Sequence, residues 1–316
     1  MAFTDFTNLD FDQIRTSIKD YLRANSTFTD FDFEGSNFSI LIDVLAYNSY
    51  LTAYNTNMVA NEAFLDSATV RENVVSLARN IGFVPLSRRA AKANISFIVT
   101  GINSSVKTAT LKAGIVCTGS LDNTSYIFSI PEDITVGVVG GEATFTNVDI
   151  FEGTYLTKTF TVDSSQPNQK YIIPNPYVDT STIRVNVKNT AQSTTTEQYT
   201  AVDNIVGINS TSQIFLVQEV SDETYELFFG DGVFGKKLTN ANQVNVSYIV
   251  TNGPAGNGAA NFTFSGTIKD NTDAVITPNV GVVVTNTASQ NGDDIQSADR
   301  KSTRLNSSHE WISRMP

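Results

Sequence analysis

From Ser36 to Leu65 the chain reads SNFSILIDVLAYNSYLTAYNTNMVANEAFL. Its apolar positions recur in alternating steps of four and three: Ile40, Val44, Tyr47, Leu51, Tyr54, Met58 and, past polar Asn61, Leu65. That spacing predicts a helix with one apolar seam, the pattern of a helix packed lengthwise against others. Ser36 and Asn37 are good caps, and no Gly or Pro interrupts the run. At ~1.5 Å per residue the helix would be roughly 45 Å long, longer than a small domain is wide. Asn48 and Asn55 flank the seam one heptad apart, where amides weaken an apolar stripe but fix partner and register. The pattern predicts a bundle helix shared between chains, with Ile40, Val44, Tyr47, Asn48, Leu51, Tyr54, Asn55, Met58 and Leu65 at the interface. Burying seven seam residues at ~1.5–3 kcal/mol each amounts to roughly 10–20 kcal/mol before ordering entropy is subtracted.

Two shorter helices flank it. Phe11, Ile14, Ile18, Tyr21 and Leu22 share one face of a segment near Asp10 to Ala24, with Asn8 or Asp10 as cap. Val70, Val74, Leu77 and Ile81 form the stripe of a third helix, which Thr69-Val-Arg-Glu72 would open as a capping box and Gly82 and Pro85 would stop. Between the first two helices, NSTFTDFDFEGSN alternates Phe with acid and reads as an extended arm laying its rings on a neighbouring surface. Asp30, Asp32, Glu34 and Gly35 invite comparison with a calcium loop, but its twelfth position is Leu41, not Glu.

From Ala91 the period changes to two. NISFIVTG, YIFSI, EATFTNVDIF, YLTKTFTV, YIIP, TIRVNVK, QIFLVQEV, YELFF and QVNVSYIVT read as strands. Turn residues such as Lys112-Ala113-Gly114, Gly140-Gly141 and Pro174-Asn175-Pro176 separate them. With no helical period between the strands, the fold class is α+β: an amino-terminal helical bundle segment, residues 1–88, then a mainly antiparallel β domain, 89–290, forming a sandwich or partly open sheet. The Thr/Ser stretch from Asn189 to Thr196 reads as a surface loop.

Composition narrows the chemistry. Hydrophobic residues make up 41% of the 316, as in folded proteins, and no apolar run approaches the ~18 residues that span a bilayer. The net charge of −11 disfavours a phosphate-gripping surface, so neither nucleic acid nor membrane is an expected partner. Cys117 is the single cysteine, which excludes an internal disulfide. The single histidine, His309, and the single tryptophan, Trp311, lie in KSTRLNSSHEWISRMP, residues 301–316, which breaks the β pattern and reverses the local charge. That string resembles an adapter translation and is set apart from the fold as a non-native tail. Without it no imidazole remains for a Ser-His-Asp or Cys-His nucleophile or a usual zinc site. The expectation is therefore no enzyme, no cofactor, no metal and no small-molecule substrate. A carboxylate-only glycoside hydrolase, needing two acids ~5–9.5 Å apart in a cleft, is the least favoured alternative.

The most distinctive motif is TYELFFGDGVFGKKL, Thr224 to Leu238. Tyr225 to Phe229 reads as a strand, Gly230-Asp231-Gly232 as the tight hairpin turn that reverses it, and Gly235 as a second bend. These four are expected to be structural turn residues. Neither a phosphate loop nor a catalytic Asp231 fits as well, because no helix start follows the glycines.

FFGDGVFGKKL, with the following VNVSYIVTNGPAGN, resembles the baseplate J-like family. The likeness extends through Asn48 to Ala93, and the chain looks like a baseplate wedge subunit of contractile-tailed phages of the T-even and cyanophage type. QNGDDIQSADR, Gln290 to Arg300, resembles the start of the family's next region, so the chain reads as an amino-terminal fragment whose segment 291–300 opens a truncated region. The resemblance implies a structural subunit of the virion tail baseplate, assembled in the host cytoplasm. Its implied partners are other copies of itself and other baseplate wedge proteins, gathered in a helical core bundle on which a small sheath-initiating wedge protein of lysozyme-like fold docks. Six wedges would join around the hub, and their change of shape would trigger sheath contraction. The alternative is a β-rich receptor-binding or adhesin module, which predicts glycan or cell binding by residues 90–290.

Overall fold

The computed structural model describes residues 10–24, 36–80, 85–166, 168–202, 207–277 and 279–296. The Phe-rich segment 25–35, Ile81, Gly82 and the run 297–316 lie outside the described residues. The described residues form two compact units, one of helices and one spanning Pro85–Gln296, and the fold is α+β.

The helical unit contains α1 (Phe11–Ala24), α2 (Asn37–Glu62) and α3 (Arg71–Asn80). The Asp10 carboxylate accepts the Gln13 amide at 3.1 Å and so caps α1. Ser36 does the same for α2, its hydroxyl accepting the Ser39 amide at 3.1 Å. At Glu62 α2 ends, and Leu65 falls in the turn beyond it, so the helix is about 39 Å long rather than 45 Å. α3 does not open on a Thr69–Glu72 capping box. Glu62 reaches forward instead and accepts the Thr69 amide (2.9 Å) and hydroxyl (2.7 Å), the Val70 amide (3.2 Å) and the Asn73 amide nitrogen (2.8 Å). A carboxylate at a helix start also meets the positive end of the helix dipole.

The β unit begins with β1 (Lys92–Thr100), β2 (Thr108–Leu111), β3 (Gly114–Leu121), β4 (Thr124–Ile130), β5 (Ile134–Val139) and β6 (Glu142–Glu152). It continues through β7 (Thr154–Thr161), β8 (Tyr171–Ile173), β9 (Val178–Lys188), β10 (Thr196–Ala201), β11 (Ile214–Glu219), β12 (Tyr225–Phe229) and β13 (Gln243–Val250). It ends with β14 (Asn261–Phe264), β15 (Ile268–Asp270), β16 (Val275–Ile276), β17 (Asn279–Val280) and β18 (Val284–Gln290). Strands β1–β6 and β14–β18 make one eleven-stranded sheet, and β7–β13 a separate seven-stranded one. Within this unit the second sheet is an uninterrupted insertion between two strands of the first. Pairing is antiparallel throughout except between β10 and β11.

Each sheet coils over its own core. Along the first sheet β14 and β1 stand four strand spacings apart, roughly 19 Å if flat. Yet the rings of Phe97 on β1 and Phe264 on β14 are 5.0 Å apart, so the sheet folds back around Phe97, Phe145, Phe128 and their neighbours. In the second sheet β7 and β8 are the two edges, six spacings or roughly 29 Å apart if flat. Phe160 on β7 nonetheless meets Tyr171 on β8 edge-on at 5.6 Å, so this sheet curls until its edges meet through side chains.

The insertion is clamped where it leaves and rejoins the first sheet. Glu152, at the end of β6, is buried and accepts the Thr251 hydroxyl (2.6 Å), the Asn252 amide (3.0 Å) and the Asn252 side chain (2.8 Å). Gly153 follows at φ 132, where a Cβ would lie 2.3 Å from the Val250 carbonyl oxygen. No larger residue fits that crossing. Asp179 of β9 is likewise buried and accepts the Ala90 amide at 2.8 Å, tying the strap ahead of β1 to the insertion.

Candidate assembly interface

Helix α2 carries an apolar stripe and a stripe of small and polar residues, and the protein buries the second. Ser39, Ile42, Ala46, Asn57 and Asn61 are its buried residues, spaced by three and four along one face. Within that face the Asn61 side chain donates to the Asn57 carbonyl at 2.8 Å, and the Ser67 hydroxyl donates to the Asn61 carbonyl at 2.7 Å. Helix α1 packs on α2, and Arg15 pairs with Asp43 at 2.5 Å.

The seam residues stand about a third of a turn away. Ile40, Val44, Tyr47, Leu51 and Tyr54 are between 40% and 59% exposed, and Met58 is half-buried. Asn48 and Asn55 are exposed beside them. Phe38, Leu41, Leu45 and Val59 are exposed on the far side of those amides, so large apolar groups surround most of the helix. A helix apolar nearly all round is ordinarily a buried one. Asn61, which the spacing placed in the seam, belongs to the buried face, and Leu65 is off the helix.

Glu62 supplies the electrostatics of this unit. Partial burial pushes its pKa up, but the Asn73 side chain, the Thr69 hydroxyl and amide and the Val70 amide outweigh that. The carboxyl sits at about 2, below the ordinary 4.5.

The structure places the Gly-Asp-Gly segment in a different setting from a tight hairpin. β12 pairs with β11 and β8, while β13 pairs with β7 and β9, so Gly230–Gly232 does not join two neighbouring strands. Residues 230–237 form a closed loop instead. Gly230 bridges Lys237, the Gly232 amide donates to the Gly235 carbonyl at 3.1 Å, and the Asp231 carboxylate accepts the Val233 and Phe234 amides at 2.8 Å each. Gly232 and Gly235 take φ of 95° and 85°, and a Cβ on Gly230 would lie 2.2 Å from the Gly235 carbonyl carbon. The Phe234 and Val233 amides hold the Asp231 carboxyl below the usual range, with Lys237 adding to the effect. Val233 and Phe234 end up exposed at the loop tip.

Among the described residues no group of three or more His, Cys, Asp or Glu is placed to hold a metal ion, and no helix is long and apolar enough to cross a membrane.

Both units have counterparts of one class. Residues 10–83 match the family of the baseplate wedge protein gp6-like helical domain, and residues 159–262 match that of the third domain of bacteriophage baseplate wedge protein gp6. The first match covers the helices, and the second runs from the end of β7 through the rest of the inserted sheet to the return strand β14. A particular relative is baseplate wedge protein gp6 of Enterobacteria phage T4, to which the chain is 26% identical over 279 residues. The alignment takes in 82% of this chain and 41% of the relative, so the chain spans about two fifths of the length of the curated relative it matches. The chain is thus similar to baseplate wedge proteins in both its helical and its β-sheet parts.

Proposed function

We propose that this protein is a non-enzymatic structural subunit of a phage tail baseplate wedge, joined to its neighbours through α2. The observation that carries the reading is the burial on that helix: apart from Ile42 the inward residues are small or polar, while Ile40, Val44, Tyr47, Leu51 and Tyr54 face out. The two matches to wedge-protein domains support the class of assembly. In this reading the exposed stripe meets the same stripe of a second copy, and the remaining apolar residues meet other wedge proteins, together forming a helical core bundle. Asn48 and Asn55 set its register, because a buried amide tolerates only an alignment that gives it a partner. The β unit is the wedge body, and the bundle is the joint through which a change of baseplate shape reaches the sheath. The relevant location is the virion tail baseplate, reached by assembly in the host cytoplasm.

Sedimentation equilibrium of the whole chain tests the joint. Self-association at tens of micromolar is expected, and Leu51→Asp should abolish it while the β-sheet circular dichroism stays unchanged. A monomer at those concentrations in the unmodified chain would overturn self-association. Unchanged association of Leu51→Asp would overturn the role of the stripe.

A further inference from the structure

Where the edges of the seven-stranded sheet meet, between the 162–171 segment and the 226–238 segment, lies a cleft of ≈ 360 Å³. Phe228, on the same face of β12 as Glu226, gives it an exposed aromatic wall, Tyr171 and Phe229 line it from the core side, and Asp163, Gln169, Glu226 and Lys237 are among its polar groups. Most of that polar set is already engaged. The Asp163 carboxylate accepts the Ser165 amide (2.9 Å), the Ser165 hydroxyl (2.6 Å) and the Gln166 side chain (3.3 Å). The Gln169 carbonyl oxygen accepts the Asp163 amide at 2.9 Å and the Tyr171 hydroxyl at 3.2 Å, and its nitrogen donates to the Thr161 carbonyl at 2.7 Å. Lys237 acts on Asp231, whose carboxyl it helps to hold low.

Glu226 is the exception. It is only 7% exposed, yet its carboxylate makes no hydrogen bond or ion pair, whereas the buried Glu152 and Asp179 are satisfied by three donors each. Its carboxylate oxygens meet solvent at the cleft and take no donor from the protein, which leaves them open to a cation brought from outside. We propose that this cleft docks an arginine side chain carried by a segment of a partner protein, with Glu226 as the counter-charge. Guanidinium suits the place better than ammonium. Its flat, weakly hydrated face stacks on rings, and its forked donors match a carboxylate. The cleft holds one long side chain with its neighbours, and the chain's net charge of −11 draws basic segments toward it. This surface lies on the inserted sheet and does not depend on the α2 reading.

The test is NMR of the whole labelled chain, following the side-chain carboxyl carbon of Glu226 and the amides of 163–171 and 226–238. The probes are N-acetyl-arginine methylamide and its uncharged citrulline counterpart. Saturable shifts confined to the cleft are expected with the arginine probe and not with citrulline. Glu226→Gln should weaken the arginine probe about tenfold or more, the loss expected for one hydrogen bond to a charged group. No cleft shifts with arginine would overturn the proposal, as would equal shifts with citrulline or unweakened binding to Glu226→Gln. If Glu226→Gln does not fold, the arginine–citrulline comparison on the unmodified chain decides alone.

Discussion

In the two sheets the largest inward-facing side chains are enclosed, Phe97, Phe128, Phe145 and Phe215 fully so, while Ile98, Val139, Leu216 and Phe228 stay exposed on the outer faces. On α2 the relation runs the other way, since Ala46 and Asn57 are enclosed while Leu51 and Tyr54 are not. One chain thus holds a region with an extensive apolar core in each sheet and a helix on which most of the large apolar residues face out. The outward apolar groups of α2 leave water only against a further surface, and in the proposed function that stripe is the part that assembles.

The comparison breaks if the sheet core is not what holds the β unit. Phe97 stacks on Phe145 at 4.9 Å and touches Phe264, so it joins strands from both ends of the folded-back sheet. Phe97→Ala should cost about 3–5 kcal/mol, by lost transfer energy and the cavity left behind. Urea unfolding followed by far-ultraviolet circular dichroism measures it. A loss under about 1 kcal/mol would mean that the sheet does not close on this residue.

The pattern-reading of the chain succeeded wherever one face of a strand met a core and Ile, Val and Phe alternated with polar residues, as in β1, β6, β9 and β13. It missed β3 and β5, where Gly119 and Gly137 sit inside the run and dilute the period, and the short or polar β2, β10 and β14–β18, which read as loop. The insertion of one sheet into the other has no local signature, because Glu152, Thr251 and Asn252 are a hundred residues apart and meet only in the fold. Likewise Asp231-Gly232 has the chemistry of a hairpin turn. What it does depends on which strands pair, and that is decided by β11, just before it, and by β8, far away in sequence. The spacing of the α2 seam was legible, but which stripe turns inward depends on what α1 and the 63–70 turn supply. Glu226 was invisible beforehand, since a lone acid in a strand looks like any solvent-facing one.

A smaller effect probes the helical unit by pH. The carboxyl of Glu62 lies at about 2 in the folded protein against an ordinary 4.5. A depressed carboxylate contributes fully above its unfolded value and loses that contribution as pH falls through the folded one. The helical unit should therefore weaken between about pH 4.5 and pH 2. Glu62→Gln should remove most of that slope and, as the loss of a helix cap, cost about 1 kcal/mol at neutral pH. Helical ellipticity at 222 nm against pH, for both proteins, is the measurement. An identical slope in the variant would show that Glu62 does not hold the α2–α3 corner.

The sharpest form of the comparison lies within α2 itself, where Ile42 and Leu51 are similar in size and differ in the face they occupy. Ile42→Ala should destabilise the helical unit by about 2–4 kcal/mol, as expected for a buried aliphatic side chain. Leu51→Ala, on the exposed stripe, should change the stability of the dilute chain by less than about 0.5 kcal/mol, the smallest effect of all. Thermal melting at low concentration reads both. At concentrations where copies associate, the two should converge, because the complex that Leu51 helps to bury binds only the folded state and so raises its apparent stability. A cost for Leu51→Ala that is as large as that of Ile42→Ala in the dilute chain would place both residues in one core. The outward stripe would then be part of the fold rather than its point of attachment.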